Sequence, residues 1–427
     1  MKKSTINWKS IYHCLLVKEI IIIAVCAFMG VAALAVTYLL SQDAMRENVQ
    51  QSSIILYNEG LGIQLWEGIE ETMLDTYTDG LLLNVSYTVT DDGLNDILLD
   101  TWVEVDGTNP MNSFYEVNVL SNDNHIVKTY GRYWHGYQTI LRPLLLFFTY
   151  SDIRQINMIL QLTLVFVIIC LLSESGNKKF ILSFFGMYIF LSPVSLFSSL
   201  QYSPCFYIMM FALIALFGLQ RYFNDTTRNY VFLMAGILTA YFDLLTYPLI
   251  TLAVPLIAYL GSDCDRFINT KNRGVKNILC YSASWLIGYV GMWSSKWIIA
   301  SILTEENIIC DALEQIKFRS GHFTEGYTYI DTLKLNLGTC NRNVFLIMVI
   351  CLAVYMLALT IKNRTRINKK LLSCMGMILF VSLYPFIWYF LTKNHSSGHS
   401  YFTYRELATS IFGVLTIVSI NTETTIR

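Results

Sequence analysis

Apolar residues in this chain are gathered into long blocks, which shorter polar and basic stretches separate. Most blocks approach the roughly 20 residues that an α-helix needs to cross a bilayer. Backbone groups in lipid must pair within their own segment, so the blocks predict helices. The expected fold class is an all-α polytopic membrane protein with about ten transmembrane helices. The predicted spans are 20–40, 156–172, 180–200, 205–219, 230–245, 247–261, 278–300, 344–361, 371–391 and 406–420.

The block at 230–261 is too long for one span and short for two. Basic residues precede it at 221 and 228, and four more follow it between 266 and 276. Lys and Arg concentrate in cytoplasmic loops, so both flanks are expected on the same side of the membrane. The block then crosses twice and turns near Asp243 and Pro248, where the Asp243 carboxylate is expected to stay in water.

The basic residues also orient the chain. With both termini cytoplasmic, the short cytoplasmic segments hold 18 of the 30 Lys and Arg, which predicts a multi-pass protein in this orientation. The uncleaved first span and the low number of Cys residues in the outer segments favour a bacterial plasma membrane. The first span is too long for the apolar region of a cleavable signal and is expected to be retained. The predicted segments are a cytoplasmic N-terminus at 1–19, the first transmembrane helix at 20–40, a large acidic outer loop with juxtamembrane helices at 41–155, helices 2–7 within 156–300, a second outer loop at 301–343, helices 8–10 within 344–420 with a short outer loop at 392–405, and a cytoplasmic tail at 421–427.

Composition and loop length limit the kinds of reaction that this chain could catalyse and the side of the membrane on which they could occur. The chain is 54% hydrophobic and 14% charged, whereas about 25% of the residues in soluble chains are charged. Residues 41–153 hold 17 acidic and 4 basic residues, a net charge of −13. The cytoplasmic segments are too short for a nucleotide-binding fold, and no phosphate-loop, dinucleotide or zinc motif occurs. Any reaction is therefore expected at the outer face, with the lipid bilayer and no nucleic acid as partner.

Cys310 and Cys340 in the second outer loop are either a disulfide or two free thiols.

The first outer loop is expected to carry its own secondary structure, as a mixed α/β or α domain. Residues 61–75 place four apolar side chains at spacing four, which predicts a helix lying on the membrane. Residues 138–150 are apolar but too short to span, which favours a re-entrant or interfacial helix interrupted near Pro143. The β-branched residues at 81–89 and 97–105 fit either short strands or further helix.

Two clusters in the outer segments combine cations, imidazoles and aromatic rings. In the short outer loop, His395 and His399 precede Arg405, a set that suits an anion site because Arg grips phosphate and His donates a proton. In the first loop, Arg132, Trp134 and His135 lie among tyrosines, a mixture that suits a sugar site. Interface anchoring is the alternative for both clusters, since Tyr, Trp, Arg and Lys line bilayer edges.

Asp75 and Asp79 are four residues apart in LDTYTDGLLLNV and would share one face of a helix. Like charges held together near lipid indicate either a raised pKa or a bound cation, and a raised pKa suits a general base. Ordinary surface acidity is the alternative. Lys296 lies between Trp293 and Trp297 near the outer end of the seventh predicted span, where snorkelling to water explains it.

The layout resembles the GT-C superfamily of membrane glycosyltransferases, which use sugars linked to polyprenyl phosphate. The resemblance rests on the number of spans, a large first outer loop, acidic residues in that loop and basic residues in later ones. The segments LDTYTDGLLLNV, YGRYWHGYQTILRP and NHSSGHSYFTYREL are also similar to stretches in a poorly characterised bacterial branch. The chain departs from the family in offering only Asp43, without an acidic neighbour, just after the first span.

The resemblance implies transfer of a sugar from a polyprenyl-phosphate donor to a cell-surface glycan or glycolipid, with inversion. Asp79 would be the base, with Asp75 supporting it or sharing a divalent cation, and His135 would orient the acceptor. The substrate-binding residues would be Arg132, Trp134, His395, His399 and Arg405. A polysaccharide polymerase or ligase and a non-catalytic scaffold are the alternatives. A transporter is disfavoured because the predicted spans hold few ionisable residues.

Overall fold

A computed structural model describes residues 8–90, 92–264, 267, 271–322, 326–341, 344–362 and 369–423. The chain is a helical membrane protein with one two-stranded sheet in its described part. The predicted basic residues at 2–3, 266 and 364–366, and the end of the predicted tail at 424–427, lie outside the described residues.

Six of the described helices are long and apolar enough to cross a membrane. Their outward faces are apolar: Phe28, Phe166 and Ile347 are each more than 60% exposed. Exposed apolar surface of this extent is stable against lipid and not against water. The other four predicted spans coincide with helices that are shorter, broken or less apolar, so the count of ten remains a prediction. The six helices are Leu16–Tyr38, Tyr150–Glu174, Leu200–Gly218, Asn272–Leu303, Val344–Ile361 and Leu371–Leu391.

The first outer loop folds as short helices around a hairpin-like sheet, in which Trp102 pairs with Lys128 antiparallel. Of the two segments left open between strand and helix, 81–87 is helical and only 102–104 is a strand. The helix predicted at 61–75 is wrong, since a bridge between Gln64 and Met73 and a single 3₁₀ turn occupy it. The elements up to the second long helix are α1 (Trp8–Tyr38), α2 (Gln42–Glu59), the 3₁₀ turn Glu70–Thr72, α3 (Thr76–Tyr87), α4 (Leu94–Leu99), β1 (Trp102–Glu104), α5 (Pro110–Asn118), β2 (Ile126–Lys128), α6 (Gln138–Leu145) and α7 (Tyr150–Glu174).

The remaining chain alternates membrane helices with short outer helices. The predicted span at 180–200 is two helices, because Pro193 cannot continue the ladder and Ser192 has a positive φ of 56°. The described elements are α8 (Ile181–Phe190), α9 (Pro193–Ser198), the 3₁₀ turn Leu200–Tyr202, α10 (Ser203–Gly218), α11 (Asp225–Phe242), α12 (Ile250–Ser262), α13 (Lys271–Leu303), α14 (Ile308–Ser320), α15 (Tyr329–Asn341), α16 (Val344–Lys362), α17 (Lys369–Ser382), α18 (Tyr384–Leu391), α19 (Lys393–Gly398), α20 (Ser400–Thr403), the 3₁₀ turn Tyr404–Leu407 and α21 (Ala408–Glu423).

Glycines bring α11 and α13 together at backbone distance. A Cβ on Gly236 would overlap the carbonyl oxygen of Trp285, and one on Gly288 would overlap that of Leu233. Small residues permit this approach in membranes, where helices associate through close packing. Helix α13 thereby gains a fixed position, from which its outer end supports the first outer loop.

Helix α6, predicted as interfacial, docks on α1 and α3 through Arg142. The guanidinium donates to the carbonyl oxygens of Thr37 (3.0 Å) and Ser86 (2.6 Å) and lies 4.3 Å from the ring centroid of Tyr38. Phe147, just beyond the helix, is 74% exposed. The segment therefore joins α1 to α3 on one side and faces outward on the other.

A buried ion pair fastens the first outer loop to α13. Lys296 Nζ lies 2.8 Å from Asp100 Oδ2, both side chains are fully buried, and Gln138 donates to Asp100 Oδ1 at 2.8 Å. Snorkelling was the wrong explanation for Lys296, because its ammonium points into the protein. Asp100 is held in place by a left-handed backbone conformation with φ 53°.

The structure also decides the predicted exposure of Asp243 and the two alternatives for Cys310 and Cys340. Asp243 does cap α11 at the predicted turn, but it is buried, and it accepts hydrogen bonds from the hydroxyl and the N–H of Thr246. Cys310 and Cys340 are both free thiols. Cys310 is exposed on α14, whereas Cys340 is buried on α15 and contacts the Asn336 carbonyl oxygen.

Candidate active site

The two carboxylates of the first outer loop have separate environments. Asp75 is the N-cap of α3: its Oδ1 accepts from the N–H of Thr78 at 3.0 Å and its Oδ2 from the Thr78 hydroxyl at 2.9 Å. A capping residue lies outside the helical turn. Asp79 lies inside the first turn and points into the protein. The predicted shared helix face is therefore wrong for this pair.

Asp79 is fully buried with its acceptor positions occupied. Oδ2 accepts from the hydroxyl of Tyr150 (2.5 Å) and the N–H of Leu200 (2.9 Å), and Oδ1 accepts from the N–H of Gln201 (3.0 Å). Burial raises the pKa of Asp79 to about 6, against the lowering effect of nearby Arg154. Asp79 thus attaches α3 to the turn before α10. Its predicted role as the base is not tested by this geometry, which leaves it no open side.

A network of charged and tyrosine side chains connects Asp79 to Glu59. Arg154 donates to the Tyr150 hydroxyl at 2.6 Å and makes a two-pronged pair with Glu59 at 2.5 and 3.0 Å. Its guanidinium also lies 3.9 Å from the Tyr150 ring centroid. Bidentate pairs of this kind fix geometry as well as adding energy. They hold α2, α3 and α7 in one arrangement.

Asp75 faces a different region, which we call the outer cluster. The hydroxyl of Tyr401 donates to Asp75 Oδ2 at 3.3 Å, although 326 residues separate the two in sequence. Tyr77, in the first turn of α3, is 47% exposed, so water reaches this side of the helix. Burial raises the pKa of Asp75 above its ordinary value. The outer cluster comprises Asp75, Tyr77, Arg319, His395, His399 and Tyr401.

His395 is buried in the outer cluster between a carbonyl and a cation. Its Nε2 lies 2.7 Å from the carbonyl oxygen of Leu245 and its Nδ1 lies 2.7 Å from Nη1 of Arg319. A carbonyl accepts and a guanidinium donates, so Nε2 carries the proton. Burial lowers the pKa of His395 well below its usual value, which keeps the ring neutral. His395 therefore positions Arg319.

His399 retains unused hydrogen-bonding capacity. Its ring stacks on Phe402 with centroids 5.2 Å apart, and it lies 4.8 Å from the ring of His395. Neither ring nitrogen has a hydrogen bond from the described residues, and Nδ1 is buried. Burial lowers the pKa of His399 to about 4, so the imidazole is neutral near pH 7. It offers one donor and one acceptor to a ligand.

Arg319 was missed by the sequence analysis. It ends α14, and it lies near the hydroxyls of Tyr130 and Tyr133. Among the described residues no carboxylate lies within ion-pair distance of its guanidinium. A basic residue in the last helical turn before Gly321 marks a helix end, but nothing in that spacing indicates that the side chain reaches His395.

The predicted sugar-binding residues Arg132 and Trp134 both contact protein partners in this arrangement. Arg132 pairs with Asp311 at 3.1 Å and lies 4.5 Å from the Tyr130 ring centroid. Trp134 is fully buried: its indole N–H donates to the Met292 carbonyl oxygen at 2.6 Å. A ring enclosed in this way cannot stack on a sugar, so the proposed contact of Trp134 with substrate is not supported.

His135 and Arg405 are also enclosed. His135 has a positive φ of 48°, and its ring nitrogens contact the Tyr137 hydroxyl (2.8 Å) and the Tyr130 carbonyl oxygen (3.2 Å). Arg405 is fully buried, donates to Ser195 Oγ at 2.8 Å, and lies 4.1 Å from the Tyr202 ring centroid. Neither side chain reaches the open part of the outer cluster, so the expected acceptor and phosphate contacts find no support.

The structure thus brings together three of the predicted site residues, Asp75, His395 and His399, and adds Arg319, Tyr77 and Tyr401. These six come from the first, second and last outer segments. No group of three or more His, Cys, Asp or Glu side chains in the described ranges is arranged to hold a metal ion.

Comparisons with known proteins identify no relative: no family model, no curated protein and no solved structure matches this chain.

The outer cluster can perform two kinds of chemistry at one place. A carboxylate with a raised pKa can accept a proton, and a guanidinium that pairs with no carboxylate in the described part of the chain can stabilise an anion. Neutral imidazole beside them can donate or accept a hydrogen bond. The combination suits a reaction that deprotonates a hydroxyl and releases a phosphate.

Proposed function

We propose that this chain is a membrane glycosyltransferase that moves a sugar from a polyprenyl-phosphate donor to a glycan or glycolipid acceptor at the outer face of the membrane. The observation that carries the proposal is the outer cluster, in which a carboxylate (Asp75) and a cation (Arg319) that pairs with no carboxylate of the described residues lie around a neutral imidazole (His399). All three are borne on segments next to apolar membrane helices, where a lipid-linked phosphate resides.

In this proposal Asp75 is the base. It removes the proton from the acceptor hydroxyl, the hydroxyl oxygen bonds to the anomeric carbon, and the bond from that carbon to the phosphate oxygen breaks. One displacement inverts the anomeric centre. Asp75 is chosen over Asp79 because it lies beside the half-exposed Tyr77, and because side-chain hydroxyls, of Thr78 at 2.9 Å and of Tyr401 at 3.3 Å, hold its Oδ2 and can be displaced by an acceptor hydroxyl. Asp79 is fully buried, and two backbone N–H groups bind its oxygens.

Arg319 receives the leaving phosphate in the same proposal. Negative charge that develops in a water-poor site is stabilised most by donors already in position. The hydrogen bond from Arg319 to His395, which in turn donates to the Leu245 carbonyl, holds the guanidinium in position before the donor arrives. His399 lies beside this pair and is available to hydrogen-bond the sugar or the phosphate.

The test is sugar transfer by purified, reconstituted protein from a panel of radiolabelled polyprenyl-phosphate sugars, with a membrane glycan extract as acceptor. We expect Asp75→Asn to lower the rate about 10²–10⁴-fold, as loss of a general base does. Arg319→Gln should weaken the reaction roughly tenfold or more, since a charged hydrogen bond is lost. Arg46→Gln, which alters an exposed pair with Asp43 on α2, is the matched control.

Thermal unfolding of each variant separates lost chemistry from lost folding. Transfer that survives Asp75→Asn in folded protein would remove Asp75 from the role of base. Wild-type protein that neither transfers a sugar nor binds any donor of the panel would favour a non-catalytic scaffold.

A further inference from the structure

A cavity of about 710 Å³ lies at the opposite ends of the membrane helices from the outer cluster, between α1, α11 and α13. Volumes of 300–1,000 Å³ are typical of small-molecule and cofactor sites. The lining is mainly apolar, and Leu279 in it is 62% exposed, so the cavity opens sideways toward lipid. Predicted topology places it at the cytoplasmic leaflet.

A buried carboxylate lines the cavity. Glu19 is only 3% exposed, and its Oε1 accepts from Asn229 Nδ2 at 2.8 Å and from Ser284 Oγ at 2.5 Å. Its Oε2 accepts no hydrogen bond from the described residues, and no described cation lies within ion-pair distance of it. A buried carboxylate with a free oxygen needs a donor, and a cationic donor compensates its charge as well.

The other charges of the cavity are two cations and one carboxylate. Asp225 is paired with Arg273 at 2.5 Å and with Arg228 at 3.3 Å, so its charge is balanced within the protein. Glu19 is therefore the carboxylate of this lining that has no ion pair with the described residues, and it complements a ligand that carries an ammonium.

A second groove continues the cavity along α13. It has a volume of about 610 Å³, shares Leu279 with the first cavity, and runs against α17 through Leu372, Met377 and Phe380. Its apolar walls match an acyl chain.

We infer that this cavity binds one aminophospholipid, phosphatidylethanolamine, with its ammonium on Glu19 and an acyl chain in the groove between α13 and α17. A primary ammonium supplies the N–H donor that Oε2 lacks. Phosphatidylcholine has no such donor, and phosphatidylglycerol has no cation.

The experiment is native mass spectrometry of purified, delipidated full chain titrated with phosphatidylethanolamine, phosphatidylcholine and phosphatidylglycerol of identical acyl chains. We expect wild-type protein to retain phosphatidylethanolamine roughly tenfold more strongly than either other lipid, which corresponds to one charged hydrogen bond. Glu19→Gln keeps the acceptor for Asn229 and Ser284 but removes the charge, and it should abolish this preference. Glu174→Gln, at an exposed helix end outside the cavity, should preserve it.

Leu279→Trp provides a second variant that leaves the charges untouched and narrows the mouth shared by the two cavities. It should weaken phosphatidylethanolamine retention without creating a preference for another headgroup. Equal retention of the three lipids by wild-type protein, stronger retention of phosphatidylglycerol, or unchanged preference in Glu19→Gln would each overturn the inference.

Discussion

Two groups of charged residues in the outer half of this protein have opposite character. The anchoring group, formed by Asp79, Arg154, Asp100, Lys296 and Arg405, is buried and hydrogen-bonded by protein at nearly every polar atom. The outer cluster, by contrast, keeps a half-exposed Tyr77 and an imidazole with no hydrogen bonds from the described residues, on His399. Both groups contain carboxylates and cations, so residue type alone does not distinguish them.

The two groups differ in how many hydrogen-bond donors and acceptors remain available to a ligand. A buried charge whose partners are all protein groups stabilises one arrangement of the chain and has nothing left for a ligand. A charge or imidazole with an unused donor or acceptor at an accessible edge can still bind a substrate. By this criterion Asp79 and Arg405 belong to the support and His399 belongs to the site. Asp75 and Arg319 are assigned to the site because they lie in the same cluster as His399, although both oxygens of Asp75 accept hydrogen bonds from Thr78 and Tyr401.

The largest expected effect comes from breaking the anchoring group at Lys296. Lys296→Met leaves the Asp100 carboxylate buried without its cation, and we expect a loss of about 3–5 kcal/mol in the free energy of unfolding. Denaturant titration in mixed micelles measures it. The double variant Asp100→Leu with Lys296→Met removes both charges and should recover most of the loss. A single variant as stable as wild type would mean that the pair does not fasten the loop to α13.

These residues also show which features of the fold and of the candidate site could be predicted from the sequence. Hydrophobic blocks predicted the six described helices that are long and apolar enough to cross a membrane, because burial in lipid depends on composition over many residues. Composition could not show that Trp134 is enclosed. An aromatic residue in a polar loop gives the same sequence pattern whether its ring packs inward or lines a sugar site. Whether a ring is covered depends on Tyr241 and Met292, more than 100 residues away.

The acidic pair illustrates the same limit at shorter range. A spacing of four predicted a shared face for Asp75 and Asp79, but a helix start between them makes one a cap and the other an interior residue. Arg319 was overlooked because its partner His395 lies in another outer segment. Periodicity predicts local secondary structure. It does not predict which groups a polar side chain contacts, because those groups are often distant in sequence.

A smaller effect is expected from Asp79→Asn. The substitution keeps one acceptor oxygen and removes the second, so either the N–H of Gln201 loses its acceptor, or the Tyr150 hydroxyl and the N–H of Leu200 both lose theirs. We expect about 1–3 kcal/mol of destabilisation. The transfer rate per folded molecule should stay within roughly a factor of ten of wild type, against 10²–10⁴ for loss of a base. Stable Asp79→Asn protein that has lost transfer altogether would return the role of base to Asp79, as the sequence predicted, and would erase the distinction between the two groups.

The smallest expected effect concerns the pH dependence contributed by His399. Burial lowers the pKa of His399 to about 4, so the imidazole is already neutral throughout the range from about pH 5.5 to 8, where an ordinary histidine with a pKa near 6.5 would lose its proton. The ratio of the transfer rates of wild type and His399→Gln should therefore stay constant over that range, even though both rates vary as other groups titrate. Taking the ratio removes the acid limb of Asp75, whose raised pKa lowers both rates as pH falls and Asp75 becomes protonated. A ratio that steps near pH 6.5 would show that His399 is charged in the working enzyme and acts as a second cation beside Arg319, and the outer cluster would then bind phosphate with two positive charges instead of one.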